Sequence, residues 1–296
     1  MVMGRMKPRV LYVLGYGRSG STVLGMALGQ HPDLVNLGEI STLPTFVPGP
    51  TYIPPRACGC FLPLDQCPYW VGVARRLGSI AALADDGTTL SPRMGWRRYA
   101  PWLPEPSDEL PRWADAATSL YRATIDEAGA QLAVDTSKGA PRAWWLWKSG
   151  VVDLTFVWLT RGLEDVVRSQ IRHGRSAVRT GISWRLAQRQ VGQLVRRLER
   201  AGLEVPRIGY ERLTREPRTV LSEILAHLGL PWDEAVLTPH PQHTIGGEHE
   251  GKLRGQQAIQ PSGRARPPLP LKARLAVRLF DNRAAEARAS GPGSDR

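Results

Sequence analysis

Arg9-Val-Leu-Tyr-Val-Leu-Gly15-Tyr-Gly17-Arg18-Ser19-Gly20-Ser21-Thr22-Val-Leu-Gly-Met-Ala-Leu28-Gly-Gln-His31 is the stretch that decides the fold. Val10 to Leu14 is an unbroken apolar run, as in a strand buried on both faces. Gly15, Gly17 and Gly20 then allow a sharp turn and a close approach of the backbone to a ligand. From Thr22 to Leu28 apolar residues recur at helical spacing. A strand, a glycine turn and a helix start present free N–H groups and the positive end of a helix dipole to a phosphate. Arg18 adds a cation, and Ser19, Ser21 and Thr22 add hydroxyls. The segment reads as an anion cradle for a nucleotide.

Two phosphate-binding patterns overlap it. Residues 15 to 20 spell G-x-G-x-x-G, and Glu39 lies where a dinucleotide fold places its ribose-binding acid. The same residues begin like the loop of ATPases, but Ser21 stands where that loop needs its Lys. The choice between nucleotides therefore falls to the residues downstream.

With 296 residues, the chain is long enough for one large α/β domain with a substantial core, and we expect a single domain over 1–296. A net charge of +12 and a pI of about 10.2 call for an anionic partner. The basic residues are spread along the chain and no nucleic-acid module is recognisable, so nucleic acid is not expected. No apolar run is long enough to span a membrane, and residues 1–8 carry no signal core, so the expectation is a cytoplasmic protein. Cys58, Cys60 and Cys67 cluster in one segment. They read as free thiols, one disulfide, or a metal knuckle short of a fourth ligand, since no nearby His offers itself.

The catalytic core should run over about 8–255. Residues 40–111, rich in Pro, Gly, Trp and Arg, form a loop-rich excursion suited to the acceptor side of a site, with short helices near 70–77 and 91–99. Helices are expected over 112–129, 183–201, 217–228 and 271–289, with others after Pro141 and Leu163. Strands are expected over 131–134, 153–159 and 205–210. Strands alternating with helices give a central parallel sheet flanked by helices, in a P-loop-like α/β domain.

Three later stretches complete the pattern. Asp135-Thr-Ser-Lys138 follows one strand, Thr160-Arg161-Gly-Leu-Glu-Asp-Val-Val-Arg-Ser169 follows another, and Tyr210-Glu-Arg-Leu follows a third. Together with the glycine loop these resemble the sulfotransferases that use 3′-phosphoadenosine 5′-phosphosulfate (PAPS), over about residues 9–254. Gly15 to Thr22 is similar to that family's 5′-phosphosulfate loop in its Arg form, found in bacterial, carbohydrate and tyrosylprotein enzymes. Arg161 and Ser169 resemble its 3′-phosphate motif. The resemblance implies a sulfotransferase with PAPS held by Gly17, Arg18, Ser19, Gly20, Ser21, Thr22, Arg161, Ser169, Tyr210 and Arg254. It further implies Lys138 and Arg18 beside the leaving phosphate, with Glu39 as general base, because tyrosylprotein enzymes carry a Gly-Glu at this distance. His31 is the rival base. His243 and Gly246 resemble part of a loop covering the cofactor, although Gly247 stands where that loop has Asn.

The chemistry agrees without the family. A nucleoside phosphorylated at both ends needs two anion sites, and a guanidinium fork with a hydroxyl supplies the second. Sulfuryl transfer, like phosphoryl transfer, asks for positioning and charge stabilisation, so no metal is expected in the reaction. The acceptor would be a small molecule or natural product carrying a hydroxyl or, in second place, an amine. A small-molecule P-loop kinase and a non-catalytic nucleotide- or polyanion-binding protein are the rival readings.

Overall fold

A computed structural model describes residues 6–47, 57–79, 100–106, 108, 110–247, 259 and 268–281. Five strands form one parallel sheet: β1 (Arg9–Gly15), β2 (Leu34–Gly38), β3 (Leu132–Lys138), β4 (Asp153–Thr160) and β5 (Arg207–Gly209). Their order is β2-β3-β1-β4-β5. The chain thus winds from β1 to one side of the sheet, then crosses to the other.

Alternate residues of β1 enter two different cores. Val10, Tyr12 and Leu14 face a cluster that includes α2 (Pro68–Leu77), α3 (Leu110–Ala128), α4 (Ala140–Ser149) and part of α6 (Ala177–Arg200). Leu11 and Val13 face α1 (Ser21–Leu28) and α8 (Pro217–His227). All five side chains are fully buried, which is why the run is continuously apolar instead of alternating. A third cluster joins α5 (Leu163–Arg172) to α6 and to α9 (Leu271–Phe280). A short helix, α7 (Tyr210–Arg215), begins directly at the end of β5.

The parallel α/β architecture is the expected one. One strand escaped the sequence reading, and two expected elements are longer than expected. β2 is only five residues long and contains Asn36 and Gly38, so its β signal is weak. It is set by pairing with β3. β3 runs on through Asp135 and Thr136 to Lys138, past the apolar stretch that marks its beginning. α6 also starts earlier than its apolar periodicity suggests, at a Ser176 cap whose side chain accepts from Arg179 N. The helix expected near 91–99 and the end of the one expected over 271–289 lie outside the described residues. No helix among the described residues is long and apolar enough to cross a membrane.

Candidate functional site

Because every strand runs the same way, the strand ends converge on one edge of the sheet. Gly15, Gly38, Lys138, Thr160 and Gly209 are the last residues of the five strands. The glycine loop, Glu39, Lys138, Arg161 and Tyr210 all lie at or just past those ends. Open α/β sheets bind ligands there, where the winding direction reverses.

The loop from Tyr16 to Gly20 delivers the chain into α1. Arg18 and Gly20 both adopt left-handed backbone conformations, at φ 71° and 92°. A side chain at Gly20 would overlap the Tyr210 ring, so glycine is required twice over. No side chain caps the start of α1, and its first turn carries no acid. The N–H groups of that turn therefore remain available to an anion. The hydroxyl of Tyr16 is hydrogen-bonded to Ser183 Oγ at 2.6 Å, tying the loop to α6.

Arg161 and Ser169 clamp this loop from the other side. Arg161 Nη1 donates to the Arg18 carbonyl at 2.9 Å, and its guanidinium lies 4.2 Å from the centre of the Tyr210 ring. Arg18 Nε donates to Ser169 Oγ at 2.9 Å, and its Nη2 meets His173 Nε2 at 2.6 Å. The two halves expected to hold opposite ends of a nucleotide are thus in direct contact. Two buried polar atoms here, Ser19 Oγ and Arg161 Nε, have no hydrogen-bond partner. Buried polar groups are rarely left so, and a hydroxyl and a guanidinium N–H suit a phosphorylated nucleotide.

Glu39 and Lys138 form the second half of the site. Lys138 Nζ lies 2.6 Å from Glu39 Oε1 and donates to the Thr136 carbonyl at 3.0 Å. Lys138 itself sits at φ 70°, turning the chain as β3 ends. Below it is a buried ionic network. Tyr121 Oη donates to Asp135 Oδ2 at 2.5 Å, and Arg142 Nη2 donates to Tyr121 Oη at 3.0 Å. Arg142 Nε lies 3.6 Å from Asp135 Oδ2, with side chains 5% and 0% exposed. Asp135 Oδ1 accepts from Ser137 N at 2.8 Å, and Ser137 Oγ accepts from Ser41 N at 3.0 Å. Burial, reinforced by the Asp135 charge, pushes the Tyr121 and Tyr12 phenols well above their ordinary range, so both stay neutral donors. Tyr12 donates to the Gly139 carbonyl at 3.0 Å.

Gly17, Arg18, Ser19, Gly20, Ser21 and Thr22 are thus drawn together with Arg161, Ser169 and Tyr210. Arg254 lies outside the described residues. His31 is built into the scaffold: its Nδ1 accepts from Asp33 N at 3.1 Å, and its Nε2 lies 3.0 Å from the Pro231 carbonyl. Those two contacts leave the buried ring no free nitrogen for proton transfer. Sequence reasoning did not single out Asp135, Tyr121 or Arg142. The one available signal was a polar Asp-Thr-Ser-Lys run ending an apolar strand.

The architecture is that of the sulfotransferase domains. The sulfotransferase domain from the Synechococcus PCC 7002 olefin synthase is similar with a TM-score of 0.53, over 94% of this chain and 96% of that one, at 20% identity. The sulfotransferase domain from the curacin biosynthetic pathway matches with a TM-score of 0.52, over 93% and 98%, at 15% identity. No family model matches the chain, and no curated protein matches it by sequence.

The buried network carries a direct stability consequence. Asp135→Asn leaves the Arg142 charge buried without its carboxylate, a change that costs about 3–5 kcal/mol in comparable cases. Urea unfolding should register a loss of that size. A loss below about 1 kcal/mol would mean that Asp135 does not neutralise Arg142.

Proposed function

We propose that this protein transfers a sulfuryl group from PAPS to a hydroxyl, or in second place an amine, of a small organic acceptor. The observation that carries the reading is the pairing of the glycine loop with Arg161 and Ser169, in which buried Ser19 Oγ and Arg161 Nε remain unpartnered. Bound PAPS would supply the activated sulfuryl group and leave as adenosine 3′,5′-bisphosphate.

The residues then divide into two tasks. The α1 N-terminus, with Ser19, Ser21 and Thr22, holds the 5′ end of the nucleotide through N–H and hydroxyl donors. Arg161 and Ser169 hold the 3′-phosphate by guanidinium and hydroxyl donors, with Tyr210 stacked beneath the guanidinium. Arg18 bridges the halves, since its backbone carbonyl meets Arg161 and its side chain meets Ser169. Lys138 stabilises negative charge developing on the departing phosphate. Glu39, ion-paired to Lys138, takes the proton of the acceptor hydroxyl. Cationic side chains carry the charge stabilisation, so we assign no metal to the reaction. A carboxylate base beside a lysine also separates this reading from simple polyanion binding.

Ligand choice tests the cradle. Adenosine 3′,5′-bisphosphate should raise the thermal midpoint well above any effect of ATP or NAD, with about 2.7 kcal/mol of stabilisation at a hundredfold excess over Kd. An equal shift with NAD overturns the proposal. Arg161→Ala should weaken bisphosphate binding by about 1.5–3 kcal/mol. Adenosine 5′-phosphosulfate, which lacks the 3′-phosphate, should lose much less.

Glu39→Gln tests the base. It should leave bisphosphate affinity intact while turnover falls by about 10²–10⁴. An acceptor with a more acidic hydroxyl should recover part of the rate, because it needs less help to ionise. Normal turnover in Glu39→Gln removes the assignment.

A further inference from the structure

Outside the nucleotide site, one cluster gathers four groups with metal-ligand chemistry. Cys58, Cys60 and Cys67 meet His243, and their ligand atoms all lie within 4.8 Å of one another. All three cysteines are free thiols. Cys67 Sγ is 3.6 Å from Cys60 Sγ, 3.6 Å from Cys58 Sγ and 3.2 Å from His243 Nδ1. Zn–S bonds of about 2.3 Å and Zn–N bonds of about 2.0–2.1 Å at tetrahedral angles imply S···S edges of about 3.8 Å and S···N edges of about 3.6 Å. The three separations from Cys67 fall within a few tenths of an ångström of those edges, and all the others are within 4.8 Å.

We propose that Cys58, Cys60, Cys67 and His243 form a structural zinc site that ties the excursion before α2 to the chain after α8. The ligand set is the soft S₃N type that selects zinc among common divalent cations. Four protein ligands close the tetrahedron and leave no position for substrate, which marks a structural site. Three thiolates, one neutral imidazole and Zn²⁺ make a centre of net charge −1, and the displaced thiol protons pass to solvent.

The surroundings hold the ligands in place. Cys58 N donates to the Leu62 carbonyl at 2.8 Å and Cys67 N to the Pro63 carbonyl at 2.9 Å, folding the Cys-x-Cys loop back towards the third cysteine. The Tyr69 ring stacks on the His243 imidazole at 5.5 Å, and Trp70 Nε1 donates to the His243 carbonyl at 3.0 Å. Cysteines used only as small apolar side chains have no reason to converge with an imidazole on one point. His243 lies 176 residues from Cys67 in sequence, so the fourth ligand is visible only in the folded chain.

Two residues past His243, Ile245 meets the candidate base. Glu39 N donates to the Ile245 carbonyl at 2.6 Å, and Ile245 N donates to the Leu37 carbonyl at 2.9 Å. Gly59, between two of the cysteines, donates from its N–H to the Thr244 carbonyl at 2.9 Å. The zinc site therefore anchors the strand-like segment that fixes Glu39. It stands whether or not the chain transfers sulfuryl groups, because His243, which resembles part of a cofactor-covering loop in sequence, here meets Cys67 and the other two thiols.

The test uses the full chain, purified without chelators. Elemental analysis should find about one zinc per chain, and the three thiols should resist a thiol reagent until a chelator is added. Cobalt(II) put in place of zinc should give the visible bands of a tetrahedral centre together with thiolate charge transfer. His243→Cys should retain the metal, whereas His243→Ala should weaken zinc binding more than about 100-fold, since even an outer-shell partner is worth 10–100-fold. Zinc removal should lower the thermal midpoint by more than about 5 °C. Whether or not His243→Ala folds, the zinc content and cobalt spectrum of the unaltered chain decide the matter. Zinc far below one per chain with freely reactive thiols, an octahedral cobalt spectrum, or a disulfide between two of the cysteines overturns the proposal.

Discussion

A buried carboxylate organises the half of the candidate site that holds Glu39 and Lys138. Asp135 is fully buried and divides its two oxygens between a structural and a positioning task. Oδ2 meets Tyr121 and lies near Arg142, which neutralises it within the core. Oδ1 holds Ser137 N, and Ser137 Oγ in turn holds Ser41 N. Those links clamp the end of β3 to the turn after β2, so Lys138 and Glu39 face each other at 2.6 Å. A carboxylate without solvent is tolerable only when paired and hydrogen-bonded. Its partners cannot leave without exposing that cost, which makes the geometry rigid where positioning matters.

The parallel sheet supplies the other constraint. With all strands aligned, each strand ends at the same edge, and the residues just beyond each end are brought together irrespective of sequence distance. Arg18 and Ser169 are 151 residues apart and share a hydrogen bond. Arg161 reaches back to the Arg18 carbonyl across a similar interval. Helix dipole, guanidinium and hydroxyl converge because β1 and β4 are neighbours in the sheet. The left-handed turn at Gly20 and the Tyr210 ring against it leave the loop little freedom to vary.

An edge strand such as β2 presents unpaired backbone groups that a protein must cover. Here the segment leading to Ile245 does so. Gln242 accepts from Asn36 Nδ2 at 2.9 Å and donates to the Met26 carbonyl at 3.1 Å, and Ile245 bridges to Gly38. The cysteine loop and Trp70 pack against the same segment, so the excursion, the sheet edge and Glu39 share one support. Trp70, within that excursion, is fully buried.

The sequence by itself determined the parallel α/β architecture and the strand, glycine loop and helix start of the candidate site. Both rest on local signals: an apolar run, glycines at a turn, helical periodicity, and an Arg or Lys just past a strand. Such signals survive in one dimension because each concerns residues within a few positions of one another. Tertiary structure alone decided the existence of β2, whose Asn36 and Gly38 are poor strand formers held by pairing with β3. It also decided that His31 belongs to the scaffold, since its partners include the distant Pro231 carbonyl. The joining of His243 to three cysteines was out of reach for the same reason: no local pattern records which distant side chain the fold will bring within 3.2 Å. Buried polar groups find their partners through the core, and the core is assembled from the whole chain at once.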